Sequence, residues 1–325
     1  MTTTRTRLGL IGTAVAALVA PLTLAVLATP AEAAPDRRAH HLKTYRLEKV
    51  IELEGGEGAS PSLSCRAGDI AVDGMWRVDN VDDPNPQLGM FGDERDVLAL
   101  ASYGDTVPRH WRFRLHNGAD GRAQLKIFVV CLDDRTVKQW GHSHKLSIDP
   151  RLHINLTDVG VGDEVYDSPD ACGTDQILVA PGFNITDGTA RNYRSWPNQT
   201  LRGWYWAFDS HHATTDITVY GRCLDVKTSI NKGHRHNIQS YFTHGWNGSY
   251  EGLPVSPRYE RQLTCANHYW GAVGAWWIVN PHHVWHLGSD PRPVTRAHFF
   301  WNTTHGSASY LTLRCLGKRT SHGFS

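Results

Sequence analysis

The stretch Cys131-Leu132-Asp133-Asp134-Arg135-Thr136, followed after four residues by Gly141-His142-Ser143-His144, decides how this chain is organised. It recurs as Cys223-Leu224-Asp225-Val226-Lys227-Thr228 with Gly233-His234-Arg235-His236, and its first half returns as Cys315-Leu316-Gly317-Lys318-Arg319-Thr320. The three cysteines are spaced 92 residues apart. Because a fixed period of this size indicates tandem copies of one structural unit, we predict a threefold internal repeat.

The chain starts with the features of a secretory signal peptide, which we predict over residues 1–33. Arg5 and Arg7 supply the positive start, an apolar stretch runs over residues 8–28, and Ala31-Glu32-Ala33 matches a small-x-small cleavage site. No second run of about 18 apolar residues follows, so we expect no membrane span in the mature chain. The expected location is extracellular, as a secreted protein.

The repeat period divides the mature chain into three predicted domains. We place their boundaries at residues 34–140, 141–232 and 233–325. Removal of the signal peptide takes away Arg5, Arg7 and Glu32, which brings the formal net charge from +1 to zero. A nucleic-acid-binding protein needs a clustered basic face, and the sequence contains no run of Lys or Arg that would provide one. The expected partner is a cell-surface glycan or protein, and the oligomeric state is left open.

Six cysteines in an exported chain are most simply explained as three disulfides, although six cysteines allow 15 connectivities. Pairing within each repeat gives every copy the same bond. The predicted disulfides are therefore Cys65–Cys131, Cys172–Cys223 and Cys265–Cys315. A zinc site built from cysteines would require short Cys-x-x-Cys spacings, which the sequence lacks.

Alternation of apolar residues predicts short strands in every repeat. Near the end of the first repeat, Leu125, Ile127, Val129 and Cys131 fall on one face of such a strand. In the second repeat the same register places Val219 inward and the neighbouring Tyr220 on the opposite, outer face. An earlier strand is predicted to end at a glycine, at Gly74, Gly182 and Gly274. The predicted fold class is all-β, with three tandem small antiparallel β-sandwich units, each holding one internal disulfide.

The order of these features resembles a known group of proteins. Each repeat runs from a cysteine through a glycine and a serine-containing turn to an Arg-x-Trp strand and a last strand that ends in cysteine. This layout is similar to the cysteine-bracketed sandwich repeats of secreted proteins from high-GC Gram-positive bacteria. The chain departs from that pattern where His298 stands in place of Trp111 and Trp204. The resemblance implies an extracellular or surface role and supplies no catalytic residues.

The two His-x-His motifs are the candidate metal ligands, and they are His142, His144, His234 and His236. Two histidines at positions i and i+2 of an extended segment point to the same side, so their ring nitrogens could share a divalent ion. The recurrence of the motif at one place in the repeat favours the alternative, in which the rings pack at the junction between units. Further ligands, if an ion is held, would come from His211, His212, His282, His283, His286 or Asp149.

Tryptophans in turn-rich sequence are the candidate ligand-binding residues, namely Trp196 and Trp246, because a ring face could stack on a sugar. No catalytic motif is found, and no cofactor is expected apart from a possible divalent metal. We therefore expect a secreted, non-enzymatic binding or extracellular structural protein, with carbohydrate or the cell surface as the possible target. The alternative is a metal-dependent extracellular hydrolase that uses histidines at a junction between repeats.

Overall fold

The computed structural model describes residues 39–82, 94–150, 152–159, 162–168, 171–210, 215–244, 251–253, 256–266, 270–279, 282–292, 296–304 and 307–323. Over these residues the chain consists of β-strands and a single short 3-10 turn, Glu94–Asp96. The predicted all-β fold class is thereby confirmed. Across this part of the chain, the structure has no helix that is long and apolar enough to cross a membrane.

The strands follow the repeats along the chain. The first repeat contains β1 Thr44–Leu53, β2 Gly58–Ala59, β3 Ser62–Ser64, β4 Ile70–Val81, β5 Val97–Gly104, β6 His110–Asn117 and β7 Ala123–Leu132. The second contains β8 Leu152–Val159, β9 Gly162–Ser168, β10 Gln176–Asp187, β11 Ala190–Pro197, β12 Trp204–Ser210 and β13 Thr215–Asp225. The third contains β14 Arg235–Asn237, β15 Ser240–His244, β16 Glu251–Leu253, β17 Ser256–Thr264, β18 Trp270–Val279, β19 Val284–Asp290, β20 Arg296–Thr303, β21 Ser307–Gly317 and β22 Ser321–Gly323.

Three large antiparallel sheets contain most of these strands, and each sheet takes its strands from two repeats. The first sheet has the order β1-β7-β4-β19-β20-β17, the second β2-β6-β5-β10-β13-β8, and the third β15-β21-β18-β11-β12-β9. The joins between repeats are β4 with β19, β10 with β5, and β18 with β11. The first repeat therefore continues into the third, the second into the first, and the third into the second. The joins close a ring.

Each of the three predicted disulfides is formed, and each lies within one repeat. They are Cys65–Cys131, Cys172–Cys223 and Cys265–Cys315. Each bond connects the start of a repeat to its last long strand, which also carries the inward-facing apolar residues predicted from the sequence. Ile127, Val219 and Leu311, which are spaced 92 residues apart, are 0%, 2% and 6% exposed. Disulfides in all three repeats are typical of an extracellular or otherwise oxidising compartment.

The sequence predicted that a strand ends at the glycine shared by the three repeats, and this prediction is wrong. Strands β4, β10 and β18 run through Gly74, Gly182 and Gly274, and a β-bulge precedes each glycine. A side chain at Gly74 would place its Cβ 1.9 Å from the Trp111 ring, and one at Gly182 would lie 2.4 Å from the Ser102 carbonyl oxygen. The glycines are therefore required by close packing beside a bulge, which keeps the strand paired while it bends.

Apolar side chains from all three repeats form one core where the sandwiches meet. Phe128, Val130 and Leu132 of the first repeat join Val179 and Leu224 of the second in this core, and Val273, Ala275 and Leu316 add the third repeat. The last strand of a repeat is consequently buried on both faces. Tyr220, predicted to lie on an outer face, is 9% exposed, and its ring stacks 4.6 Å from Tyr103 of the first repeat. The outer face is covered because a neighbouring repeat packs against it.

Arginine side chains cross each junction and donate to backbone carbonyls of the next repeat. Arg222 donates to the carbonyls of Asp105 and Thr106, Arg314 to that of Leu178, and Arg46 to that of Pro291. In the first repeat Val130 occupies the position of Arg222 and Arg314. Arg46, which lies opposite Val130 on β1, supplies the missing guanidinium from the adjacent strand. Each junction therefore has a charged hydrogen bond in addition to its apolar contacts.

Candidate functional site

Three equivalent threonine–histidine pairs surround the point where the repeats meet. The pairs are Thr136 with His144, Thr228 with His236, and Thr320 with His40. In each pair the threonine N–H donates to the histidine carbonyl at 2.9 Å, and the histidine N–H donates to the threonine Oγ1 at 2.9–3.2 Å. All six residues are buried. The pairs hold three short segments around one centre and turn three histidine rings towards it.

Two tight turns bring a second layer of histidines to the same centre. Residues 139–142 and 231–234 each form a two-residue hairpin turn, closed by backbone hydrogen bonds between Gln139 and His142 and between Asn231 and His234. Both central residues of each turn have positive φ, with 52° and 81° in the first turn and 50° and 75° in the second. This is the type I′ geometry, which explains the glycine that precedes each His-x-His motif. We call these segments the outer turns.

The outer turns lie side by side. Asn231 Nδ2 donates to the Ser143 carbonyl at 2.7 Å, and Lys232 Nζ lies 3.4 Å from the Trp140 carbonyl oxygen. His142 and His234, carried by the two turns, face each other with their Nε2 atoms 3.4 Å apart. The turns therefore cover the rings of His40, His144 and His236 with two further imidazoles.

The five rings form a compact cluster, which we call the histidine cluster: His40, His142, His144, His234 and His236. Ring centroids of His40 lie 4.7 Å from those of His142 and His236 and 4.8 Å from that of His144. One ring nitrogen from each of His40, His142, His144 and His234 lies within 4.8 Å of the others. Every ring of the cluster belongs to a residue that is at most 6% exposed.

Backbone carbonyls fix the orientation of four of these rings. Each Nδ1 lies against a carbonyl oxygen: His40 against Val137 at 3.4 Å, His142 against Trp140 at 3.3 Å, His144 against Ser229 at 3.0 Å, and His234 against Lys232 at 3.3 Å. Since a carbonyl only accepts, a neutral ring in this position carries its proton on Nδ1 and its lone pair on Nε2. Burial lowers the pKa of His144 below its usual value, and nearby His40 and His234 act in the same direction.

Of the four histidines predicted as ligands, the structure brings His142, His144 and His234 together and places His236 beside them, 4.6 Å from His144 between ring centroids. His40 joins the set, although the sequence did not single it out as a ligand. Its signal was the His40-His41 pair at the beginning of the first repeat, in the place that the His-x-His motifs take in the other two. The threonine that positions it lies at the other end of the chain, so no continuous motif marked it.

Of the other residues suggested as further ligands, those within the described ranges do not belong to the cluster. His286 is buried elsewhere, with its ring 3.8 Å from that of Trp277, and Asp149 accepts a hydrogen bond from Gln176 at 2.7 Å. His282 is exposed at a turn and lies beside His283. His211 and His212 lie outside the described residues. The group that the structure assembles therefore consists of imidazoles from the boundaries between repeats.

The two tryptophans predicted to bind a ligand have different outcomes. Trp196 lies on β11 and is half-buried, with its ring centroid 4.4 Å from that of Tyr310. Trp246 lies outside the described residues. Trp140, in the first outer turn, is 55% exposed although it is a large aromatic residue. No sequence pattern distinguishes it from the other tryptophans, because its exposure depends on the turn geometry.

Three of the six exposed large apolar side chains among the described residues lie around the outer turns, including the two most exposed. Val137, Trp140 and Ile230 are 40%, 55% and 60% exposed, and all three belong to the segments that connect one repeat to the next. A groove of about 620 Å³ runs beside Ile230, and its rim carries Lys227, whose Nζ lies 2.8 Å from Asp175. The groove combines apolar and polar side chains, and its charged residues are Lys145, Lys227 and Arg235 with Asp175 and Asp225, so it offers hydrogen-bonding groups with a net charge of only +1.

Comparison with known proteins supplies no relative whose residue roles could be carried over to the histidine cluster or to the groove. Neither a protein-family model nor a curated protein sequence matches the chain.

Proposed function

We propose that the protein is secreted and non-enzymatic, and that it binds a cell-surface glycan through the face formed by the outer turns and the adjacent groove. The observation that carries the proposal is the exposure of Trp140, which is 55% accessible at a φ of 52°. A bulky residue in the left-handed region costs conformational energy, and such strain concentrates at functional positions. An exposed ring face is also a suitable surface for the apolar side of a pyranose.

The groove beside Ile230 supports a glycan as the ligand. Two of its carboxylates are held in place: Asp225 accepts a hydrogen bond from Gln176 Nε2 at 2.8 Å, and Asp175 accepts one from Lys227 Nζ at 2.8 Å. A neutral polymer of hydroxyl groups needs such fixed donors and acceptors together with a small apolar contact. A nucleic acid or an anionic surface would instead require uncompensated positive charge.

The burial of the histidine cluster supports a binding role over hydrolysis. A metal-dependent hydrolase keeps one coordination position open to substrate and water. His40, His144 and His236 are fully buried, and the outer turns cover the remaining approach with His142 and His234. A polymer substrate would have to displace both turns before it reached these rings.

The experiment that tests the proposal is capture of the mature protein by insoluble cell-wall polysaccharides, followed by titration with soluble fragments of any polymer that binds. The Trp140→Ala, Ile230→Ser double variant should lose binding. Val50→Ser and Ile154→Ser are matched controls, since both residues are exposed aliphatics on other strands, and they should bind as the parent does. Equal binding by the double variant, or no binding to any polysaccharide, would reject the proposal.

The secretion part of the proposal has its own measurement. Expression with the full leader in a Gram-positive host should release the protein into the medium, with an N-terminus at Ala34. Retention of the leader on protein that stays inside the cell would contradict this part alone.

A further inference from the structure

We propose that His40, His142, His144 and His234 bind one divalent transition-metal ion, zinc or copper, at the centre where the three repeats meet. Two of its ligands, His142 and His234, are carried by the outer turns, but the proposed metal site does not depend on glycan binding. Its ligands are the Nε2 atoms of four buried imidazoles that come from the beginning of the first repeat and from the two boundaries between repeats.

The first argument is the orientation of the rings. All four Nδ1 atoms lie 3.0–3.4 Å from backbone carbonyl oxygens, so the neutral rings carry the proton on Nδ1 and the lone pair that can bind an ion on Nε2. Histidines that ligate metals almost always donate their other ring N–H to a carbonyl or carboxylate in this way. A set of rings that merely filled space would have no reason to share one orientation.

The second argument is the contact between His142 and His234. Their Nε2 atoms are 3.4 Å apart, and both rings use Nδ1 towards a carbonyl. In the neutral state each Nε2 carries a lone pair, so two acceptors would face each other in a buried place, which is unfavourable without a cation between them. The Nε2 of His144 is likewise buried with no hydrogen-bond partner among the described residues. A shared ion satisfies all of these nitrogens at once.

The distances fit an ion after a small contraction. Zinc binds imidazole nitrogen at about 2.0–2.1 Å, which separates two nitrogens of a tetrahedral site by roughly 3.3 Å. His142 and His234 already have this spacing. One ring nitrogen from each of the four histidines lies within 4.8 Å of the others, so His40 and His144 would move inward by about 1 Å on binding. Rotation of side chains about their own bonds can supply such a shift without a change in the backbone.

The chemistry of the ligands limits the choice of ion. The set contains four nitrogens and no carboxylate or thiolate, which excludes calcium and magnesium because these ions require oxygen ligands. Imidazole suits zinc, copper and nickel. The carbonyls of Val137, Trp140, Ser229 and Lys232 stand behind the rings and would partly offset the charge of the ion through the Nδ1 protons.

The test uses the full mature chain with any affinity tag removed, loaded with zinc or copper and dialysed, followed by elemental analysis. We expect one ion per chain. A chelator should lower the melting temperature, and added zinc should restore it, since an ion that binds only the folded state stabilises it. With copper, the electron paramagnetic resonance spectrum should show hyperfine splitting from nitrogen ligands.

The variants separate metal binding from packing. His144→Ala should lose the retained ion, and His142→Gln, in an outer turn, provides a second variant if His144→Ala fails to fold. His298→Ala and His282→Ala remove histidines outside the cluster and should retain one ion. If the parent protein retains no ion and a chelator leaves its melting temperature unchanged, the rings only pack and the proposal is wrong. Retention of the ion by both His144→Ala and His142→Gln would overturn it equally.

Discussion

His40 and Thr320 lie 280 positions apart in the sequence and are joined by three hydrogen bonds. The His40 N–H donates to Thr320 Oγ1 at 3.2 Å, while the Thr320 N–H and hydroxyl donate to the His40 carbonyl at 2.9 and 3.1 Å. The two residues are buried together and reproduce the contacts of Thr136 with His144. This contact completes the third threonine–histidine pair from opposite ends of the chain.

Replacing Thr320 by Val should therefore destabilise the whole protein. The substitution keeps the shape of the side chain but removes the hydroxyl, which leaves the buried N–H of His40 without its acceptor. We expect a loss of about 1–3 kcal/mol in the free energy of unfolding, measured by urea denaturation. Thr136→Val should cost a similar amount, because it breaks the equivalent bond. Thr106→Val, at an exposed position, is the control and should have little effect.

The protein should unfold in one transition, although it consists of three repeats. Every large sheet and the central core contain residues from more than one repeat, so no repeat can unfold without exposing its neighbours. Differential scanning calorimetry should give equal calorimetric and van't Hoff enthalpies. The Cys172→Ala, Cys223→Ala double variant should shift this single transition to lower temperature. Separation of a second transition in that variant would show that the repeats unfold independently.

Val219 and Tyr220 should both be sensitive to a charge, on opposite faces of the same strand. Val219 is 2% exposed inside its sandwich, and Tyr220 is 9% exposed against Tyr103 of the neighbouring repeat. Aspartate at either position would be buried without a partner, and we expect each variant to lose several kcal/mol or fail to fold. Tyr220→Phe keeps the stacked ring and should retain most of the stability. A tolerant Tyr220→Asp variant would argue against the observed packing of the second repeat on the first.

His286 should make the protein less stable in acid. Burial lowers its pKa to about 3, whereas an unfolded chain has a histidine pKa of about 6.5. Between these values the unfolded state binds a proton that the folded state excludes. The free energy of unfolding therefore falls with pH below about 6.5, by roughly 1.4 kcal/mol per pH unit, until about pH 3. His286→Gln should lose less stability than the parent between pH 7.5 and pH 5 in urea titrations. Parallel pH profiles for the two proteins would contradict this.

The repeat, the fold class and the disulfides could be predicted from patterns along the chain. Cys131, Cys223 and Cys315 share one period and each repeat holds one further cysteine, so pairing within repeats gives every copy the same bond, while alternation of apolar residues indicates strands. The spacing of serine and tryptophan also has a physical cause: Trp111 Nε1 donates to Ser102 Oγ, and Trp204 Nε1 donates to Ser195 Oγ, both at 3.0 Å. Such patterns can be recognised from the sequence because the interacting residues lie within one repeat and keep a fixed spacing.

The joins between repeats could not be predicted, because an edge strand that pairs with a neighbour has the same alternation as one that ends a sheet. Phe183 pairs with Ser102 across such a join, and no pattern in the sequence of either strand indicates that the two strands are neighbours. The candidate site was affected by the same difficulty. His142 and His234 could be singled out from their motifs, whereas His40 required knowledge that the first and last segments meet.

The cyclic order of the joins also bears on how such a chain could arise. Each repeat uses one edge to pair with the preceding copy and a different edge to pair with the following one, and the third copy returns to the first. This head-to-tail arrangement is the one by which identical subunits form a closed ring with threefold symmetry. A single ancestral repeat would have had two unsatisfied sheet edges, which three separate copies would satisfy together. Triplication of the gene for such a subunit would then join the three copies in one polypeptide. Each copy could afterwards diverge in sequence, as the third has at His298, where the other two have Trp111 and Trp204.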